Sequence, residues 1–145
     1  TPKPSSAASD VYKRQEWGLD KILKKGYKNG IVMSGVSAGA ICWFQNGITD
    51  SWSSNLKIMP CMNIIKGTCC PHYDEEPERK PTVKKMIMSK KVKNIFAVDG
   101  GAALHIKNEN IFKSVSFREQ KSSYEVSLLR GKLVERSFKK SFIKK

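Results

Sequence analysis

The chain has 145 residues, the usual length of one domain and enough to bury a substantial core. Hydrophobic residues make up 39% and charged residues 28%, which excludes a disordered or collagen-like chain. No apolar run approaches the roughly 18 residues that a membrane-spanning helix needs. The opening residues also lack the basic-then-apolar pattern of a secretory signal, so we expect a cytoplasmic protein.

The formal net charge of +14 raises the hypothesis of a nucleic-acid partner. The positive charge comes from 22 lysines and 5 arginines, and the lysines are spread through nearly every segment. Nucleic-acid interfaces favour arginine forks interleaved with aromatic side chains. We therefore interpret the charge as a solvated lysine-rich surface and keep nucleic-acid binding as the lesser alternative.

The four cysteines are the next feature with a chemical meaning, and they are Cys42, Cys61, Cys69 and Cys70. Two of them are adjacent and no C-x-x-C pair occurs, so we predict reduced thiols and not disulfides. A zinc site formed by the last three of them with His72 is conceivable. Because the spacing matches no common zinc pattern, we predict neither a metal nor a cofactor.

Residues 1–15 differ in composition from the rest of the chain. They are rich in Ser, Ala and Pro and lack hydrophobic periodicity. We interpret them as disordered, or as a leader that is not part of the natural gene. Residues 16–145 are assigned to one domain.

The first part of this domain predicts two helices and one strand. Apolar residues over 17–23 recur at helical spacing and predict an amphipathic helix that ends at Gly26. Ile31–Met33 is a short apolar run bounded by glycines, which is typical of a buried parallel strand. A second helix is predicted to begin at Ser37 and to continue through bulky apolar residues to Phe44.

Beyond residue 44 the sequence predicts a loop region, a helix, several strands and a basic tail. Residues 45–71 are predicted to be loop-like with one apolar patch, and residues 82–93 to form a helix with Pro81 tolerated at its start. The last seven residues are predicted to be a basic tail. Further strands are predicted at 95–98, 102–106 and 111–117, and a hairpin around Arg130-Gly131 at 124–129 and 132–138.

The sharpest motif is Gly35-Val36-Ser37-Ala38-Gly39, which fits G-x-S-x-G between a predicted strand and a predicted helix. A serine at such a tight turn adopts a sparsely populated backbone conformation and is displayed at the edge of the sheet. The adjacent Ala38 N–H is suitably placed to stabilise an oxyanion. The competing interpretation is a glycine-rich turn with an N-capping serine.

Three longer motifs carry a family resemblance: GVSAGAICWF at 35–44, CPHYDEEPERKP at 70–81 and AVDGGAALHI at 97–106. In order and spacing they resemble the peptidase E (aspartyl dipeptidase) family, whose relatives include cyanophycinase and type 1 glutamine amidotransferase-like proteins. The resemblance covers roughly residues 19–138. It implies a three-layer, mostly parallel α/β sheet of flavodoxin-like type with a C-terminal antiparallel hairpin. It also implies a serine peptidase that hydrolyses small peptides without a cofactor.

The resemblance assigns Ser37 as the nucleophile and His72 as the catalytic base. A serine hydroxyl needs such a base near neutral pH. His72 lies in a polar loop, where functional residues are usually displayed, whereas His105 is predicted to be a half-buried strand residue. Arg79 is a candidate for receiving a substrate carboxylate, although a solvated charge at a helix start fits as well.

The acid that orients the histidine is the triad member that the sequence leaves open. In the family a Glu or Asp follows the second strand, and that position falls on Gly100. We take Asp99, one residue earlier, as the first choice and keep Asp50 and Asp74 as alternatives. The acidic run at 74–76 is interpreted as balancing local lysines.

Family members also have a longer N-terminal half, with a glycine-rich loop that supplies a second oxyanion N–H. This chain reaches its candidate nucleophile at residue 37, so we expect it to be the C-terminal part of such a domain. Together with Gly100, this difference favours an alternative: a catalytically impaired binding or regulatory module on the same fold. The substrate specificity and the formation of a homo-oligomer stay open.

Overall fold

A computed structural model describes residues 16–51 and 53–143. The chain divides after Lys66 into two compact units. The leader predicted at residues 1–15 lies outside the described residues, as do the last two residues of the basic tail. None of the described helices combines the length and the apolar character needed to cross a membrane.

Both helices and strands are present, so the predicted mixed α/β class is confirmed. The helices are α1 (Leu19–Lys28), α2 (Ala38–Ile41) and α3 (Arg79–Met88). The strands are β1 (Phe44–Thr49), β2 (Lys57–Pro60), β3 (Ile65–Cys70), β4 (Asn94–Val98), β5 (Ala102–Lys107), β6 (Asn110–Ser116), β7 (Ser123–Leu129), β8 (Lys132–Ser137) and β9 (Lys140–Phe142). The division between the units falls within β3.

Helix α1 confirms the predicted first helix but ends two residues later than expected. Gly26 lies inside the helix, and its carbonyl accepts hydrogen bonds from the N–H groups of Asn29 and Ile31 at 3.1 Å each. Asp20 in the first turn and Lys25 in the last turn complement the helix dipole.

The strand predicted at Ile31–Met33 is the first correction. Residues 31–36 form neither helix nor strand, and the side chain of Val32 is 91% exposed. A strand forms only where a neighbouring backbone pairs with it. The described residues provide no such ladder for this segment, so its apolar sequence alone does not produce a strand.

The predicted helix from Ser37 to Phe44 is reduced to the single turn of α2, after which the chain enters β1. The predicted loop over 45–71 is also corrected, because β1, β2 and β3 occupy much of it. β1 and β2 are antiparallel, with Gly47 opposite Met59. A β-carbon at Gly47 would lie 2.7 Å from the β-carbon of Ile41, so the glycine permits the close approach of α2. β1 was not predicted because its sequence, FQNGIT, contains small and polar residues that are typical of loops.

The second unit contains two sheets. In one, β3 and β4 are parallel, whereas β4 with β7 and β7 with β8 are antiparallel. In the other, β5 and β6 are antiparallel and β9 lies parallel to β6. Antiparallel pairings thus predominate among those described, in contrast to the mostly parallel sheet that we expected. β4, β5 and β6 confirm three predicted strands, and β9 shows that part of the predicted basic tail is structured.

The predicted hairpin is confirmed by β7 and β8, which pair from Tyr124 opposite Ser137 to Leu129 opposite Lys132. Arg130 has φ 50° and Gly131 has φ 77°. Two successive positive φ values match the right-handed twist of the flanking strands, as in a type I′ turn.

Helix α3 confirms the predicted helix but is shifted towards the N-terminus, from 82–93 to 79–88. Pro81 lies in its first turn, where the missing N–H costs nothing. The helix ends where Lys90 adopts φ 57° and donates its N–H to the carbonyl of Ile87 at 3.0 Å. Buried apolar residues of this unit include Val83, Met86, Ile87, Ile95, Ala97 and Val126.

Candidate active site

Ser37 occupies a strained turn directly before α2. Its backbone has φ 51° and ψ −116°, a conformation that residues with a β-carbon rarely adopt. The N–H groups of Ala40 and Ile41 donate to the Ser37 carbonyl at 3.0 and 3.1 Å and so begin the helix. The predicted sparsely populated conformation at a helix start is confirmed, although the segment before it is not a strand.

Ala38 supplies the first N–H of α2, next to Ser37. The first N–H groups of a helix have no carbonyl partner within the helix. Since α2 has only four residues, its dipole adds less than the longer predicted helix would have added. Any oxyanion stabilisation at this turn therefore depends on direct hydrogen bonding by the N–H.

His72 lies in the loop between β3 and α3, as predicted, and its backbone is also in the left-handed region, with φ 54°. The carbonyl of His72 accepts the N–H of Glu75 at 3.2 Å, which closes a turn over 72–75. The N–H of Tyr73 donates to the carbonyl of Val98 at 3.0 Å and ties this turn to the end of β4. The imidazole is 34% exposed.

Glu75 is the carboxylate at the imidazole of His72. Its Oε2 lies 2.6 Å from Nδ1 of His72. Because an ionised carboxylate can only accept a hydrogen bond, this contact requires the proton on Nδ1 and leaves Nε2 as the basic nitrogen of the neutral ring. Glu75 was not among the predicted acids, because the acidic run at 74–76 was interpreted as balancing local lysines. The available signal was the three-residue spacing from His72 within a turn.

Asp99, the predicted acid, is engaged elsewhere. Its Oδ2 accepts hydrogen bonds from the N–H of Ser122 at 3.1 Å and from the hydroxyl of Tyr124 at 3.2 Å. Burial raises the pKa of Asp99, against the effect of these hydrogen bonds. The expectation that Asp99 orients His72 is therefore wrong in this geometry. The physical reason is that successive residues along an extended chain point to opposite sides.

The two alternative acids, Asp74 and Asp50, have other surroundings. Asp74 accepts the N–H of Gly100 at 2.8 Å through Oδ1 and forms an ion pair with Lys121 through Oδ2. Burial alone would raise the pKa of Asp74, but the hydrogen bonds from Lys121 and Gly100 outweigh it and lower the pKa. Asp50 follows β1 in the other unit and is exposed.

Arg79, the predicted substrate-binding residue, is buried, with 4% of its surface exposed. Its Nε donates to Oε2 of Glu76 at 2.7 Å. Burial opposes the charged form, but Glu76 and Cys70 together raise the pKa of Arg79. A guanidinium that is buried and already paired is poorly suited to receive a substrate carboxylate, so this expectation is corrected.

His105 and the cysteines complete the set of chemically reactive candidates. His105 lies in β5 as predicted, but it is exposed and not half-buried; its ring meets that of Phe112 edge-on, with the ring centroids 5.4 Å apart. All four cysteines are buried, and none of them is in a disulfide. Burial raises the pKa of Cys61 to about 12 and that of Cys70 to about 11. No group of three or more His, Cys, Asp or Glu within the described residues is placed to hold a metal ion.

Comparison with known proteins identifies the family. Residues 12–114 match the model of Peptidase family S51. The chain belongs to this family. A protein of Bacillus subtilis (strain 168), named uncharacterized peptidase YgaJ, is 42% identical over 121 residues. The aligned region covers 83% of this chain and 52% of that protein, so the chain spans about half the length of this curated relative.

The family match confirms the resemblance deduced from the three motifs. Ser37, His72, Glu75 and Gly100 all lie within the matched residues. The strained turn and the histidine loop are therefore features of the part of the chain that shares the family pattern.

Proposed function

We propose that this chain is a serine peptidase that hydrolyses small peptides, with Ser37 as the nucleophile and His72 as the general base. The observation that carries the proposal is the backbone of Ser37, at φ 51° and ψ −116° within G-x-S-x-G. Strained residues persist where the surrounding structure holds them, and such positions cluster at active sites. Membership of Peptidase family S51 supports the same chemistry.

In the proposed reaction, Oγ of Ser37 attacks the carbonyl carbon of the substrate while its proton passes to Nε2 of His72. The Ala38 N–H donates to the developing oxyanion. His72 then returns the proton to the leaving amine, and an acyl-enzyme on Ser37 remains. A water molecule, deprotonated by the same imidazole, then attacks the ester carbon; the bond to Oγ of Ser37 breaks, His72 returns the proton to Oγ, and the carboxylic acid product is released.

The finer parts of the proposal come from the resemblance to the peptidase E family. They are dipeptides among the substrates, a reaction without metal or cofactor, and the three-layer arrangement of that family. Location in the cytoplasm is supported by the four buried cysteines, none of which is in a disulfide, since reduced thiols suit a reducing compartment.

The test is covalent labelling with a fluorophosphonate probe, followed by identification of the modified peptide. We expect a single modification on Ser37, no labelling in Ser37→Ala, and strongly slowed labelling in His72→Ala. The same samples are assayed on dipeptides with acidic N-terminal residues. A folded chain that does not label would overturn the proposal and favour the non-catalytic binding module; equal labelling of Ser37→Ala would overturn the assignment of the nucleophile.

A further inference from the structure

The acidic group nearest to the imidazole of His72 comes from the same turn and not from the segment that follows β4. We propose that Glu75 is the positioning residue of His72. Its side chain can reach the imidazole because Gly100, which has no side chain, leaves room for it. This inference rests on the proposed function, since it concerns the base of that reaction. It gives Glu75 a role that neither the sequence motifs nor the family match assigns.

A short hydrogen bond joins Glu75 directly to the imidazole of His72. Oε2 of Glu75 and Nδ1 of His72 are 2.6 Å apart, a distance typical of a charge-assisted bond. The turn over 72–75 enforces this pairing, because the N–H of Glu75 donates to the carbonyl of His72 at 3.2 Å. Backbone geometry therefore brings both side chains to one side of the loop.

Hydrogen bonds also connect the turn over 72–75 to the end of β4 and the residues that follow it. The N–H of Tyr73 donates to the carbonyl of Val98 at 3.0 Å, and the N–H of Gly100 donates to Oδ1 of Asp74 at 2.8 Å. These two hydrogen bonds hold residues 73 and 74, the two that directly precede Glu75, against residues 98–100. The side chain of Glu75 is thereby kept close to Gly100.

The side chain of Glu75 packs against Gly100, where only a glycine leaves room for it. A β-carbon at Gly100 would lie 2.2 Å from Oε1 and 2.8 Å from Cγ of Glu75. The carboxylate therefore fills the volume that any other residue at position 100 would need. A glycine at 100 and a carboxylate from 75 are complementary, and the glycine is what allows Glu75 to reach the imidazole.

The neighbouring acids do not compete for this role. The carboxylate of Asp74 is held by Gly100 and Lys121, and that of Asp99 by Ser122 and Tyr124. Glu75 holds the proton on Nδ1, keeps Nε2 available as the base, and stabilises the imidazolium that forms during the reaction. Because 52% of its side chain is exposed, we expect a smaller contribution than that of a buried acid.

The experiment compares Glu75→Ala and Gly100→Ala with a matched control, Glu78→Ala, which removes an exposed glutamate of the same loop. Gly100 is not in the left-handed region, so alanine is compatible with its backbone and acts by displacing the flexible end of Glu75. Two readouts are used: the rate of fluorophosphonate labelling of Ser37, and the tautomer of His72 from the ¹⁵N chemical shifts of its ring. His105 provides an internal reference for the second readout.

We expect Glu75→Ala to slow labelling by about 100-fold or more and to lose the preference for the Nδ1–H tautomer, by analogy with loss of the orienting acid in other serine hydrolases. Gly100→Ala should act in the same direction, and the double variant should be no slower than Glu75→Ala, because both changes remove one contact. Glu78→Ala should match the unmodified chain.

Two outcomes would overturn the proposal. One is a Glu75→Ala variant that keeps the Nδ1–H tautomer and labels within about threefold of the unmodified chain. The other is a double variant whose loss is the product of the two single losses, since the residues would then act separately. If the unmodified chain does not label at all, the proposed function fails, whereas the tautomer of His72 still decides the contact with Glu75.

Discussion

A β-carbon added to Gly35 would lie 2.0 Å from the carbonyl oxygen of Gly39 and 2.3 Å from its carbonyl carbon. Both atoms belong to the backbone that begins α2, so neither can move without opening the turn that displays Ser37. The two glycines of G-x-S-x-G are therefore unequal: the first is required by close backbone contact, whereas a β-carbon at the second would meet none of the described residues within 4 Å.

This difference predicts opposite effects of the same substitution. Gly35→Ala should lower the free energy of unfolding by about 1–3 kcal/mol through overpacking. It should also slow labelling of Ser37 by about 100-fold, because a displacement near 1 Å at a reacting group costs that much. The measurements are urea denaturation and the labelling rate.

Gly39→Ala is the control, since Gly39 lies within α2 and has open space at its β-carbon position. Alanine is favoured over glycine in helices by about 0.5–1 kcal/mol, so this variant should be as stable as the unmodified chain or more stable. Equal damage from both alanines would contradict the steric argument.

Backbone strain at Ser37 predicts a difference between two inactive variants. Ser37→Ala and Ser37→Gly both remove the hydroxyl, but only glycine adopts φ 51° without a steric cost. We expect the glycine variant to be the more stable by about 1 kcal/mol. Thermal or urea unfolding of the pair measures this, and an alanine variant of equal or greater stability would show that the turn is unstrained.

The ion pair of Asp74 with Lys121, together with its bond from Gly100, predicts a dependence of stability on pH. Folding lowers the pKa of Asp74 below its unfolded value of 3.8, so the ionised carboxylate stabilises the folded chain at pH values above 3.8. This stabilisation is lost as the pH falls through the pKa that Asp74 has in the folded chain. Asp74→Asn should therefore cost about 1–2 kcal/mol near pH 7.

The difference between Asp74→Asn and the unmodified chain should shrink as the pH falls below about 4. Urea denaturation across a pH series measures it, and Asp50→Asn provides the same chemical change at an exposed site. If the difference in free energy of unfolding does not change with pH, the loss of stability comes from altered packing or hydrogen bonding at position 74 and not from the lost charge.

The burial of the four cysteines predicts slow reaction with thiol reagents. Burial raises the pKa of Cys61 to about 12 and that of Cys70 to about 11, and only the thiolate reacts. With a chromogenic disulfide reagent at pH 8, we expect all four thiols to react rapidly in denaturant. The folded chain should react much more slowly, because each buried thiol must first be exposed by local or global unfolding. Rapid reaction of the folded chain would contradict the burial.

Local sequence was sufficient where a feature depends on a few neighbouring residues. Gly35 and Gly39 around Ser37 indicated the tight turn, because glycine permits the close backbone contact that Gly35 makes there. Arg130-Gly131 indicated the hairpin for the same reason. The apolar run in β4 and the helical spacing in α3 also sufficed, because each buries its own apolar residues.

Tertiary structure decided the features that depend on partners distant in the sequence. The apolar Ile31–Met33 did not become a strand, whereas the polar β1 did, because strands are defined by pairing. Likewise, the choice between Asp99 and Glu75 depended on which side of the chain each carboxylate faces and on the empty volume above Gly100. Sequence by itself determined which residue types were available for catalysis. Only the three-dimensional arrangement determined which carboxylate reaches His72, because hydrogen bonds and excluded volume act through space.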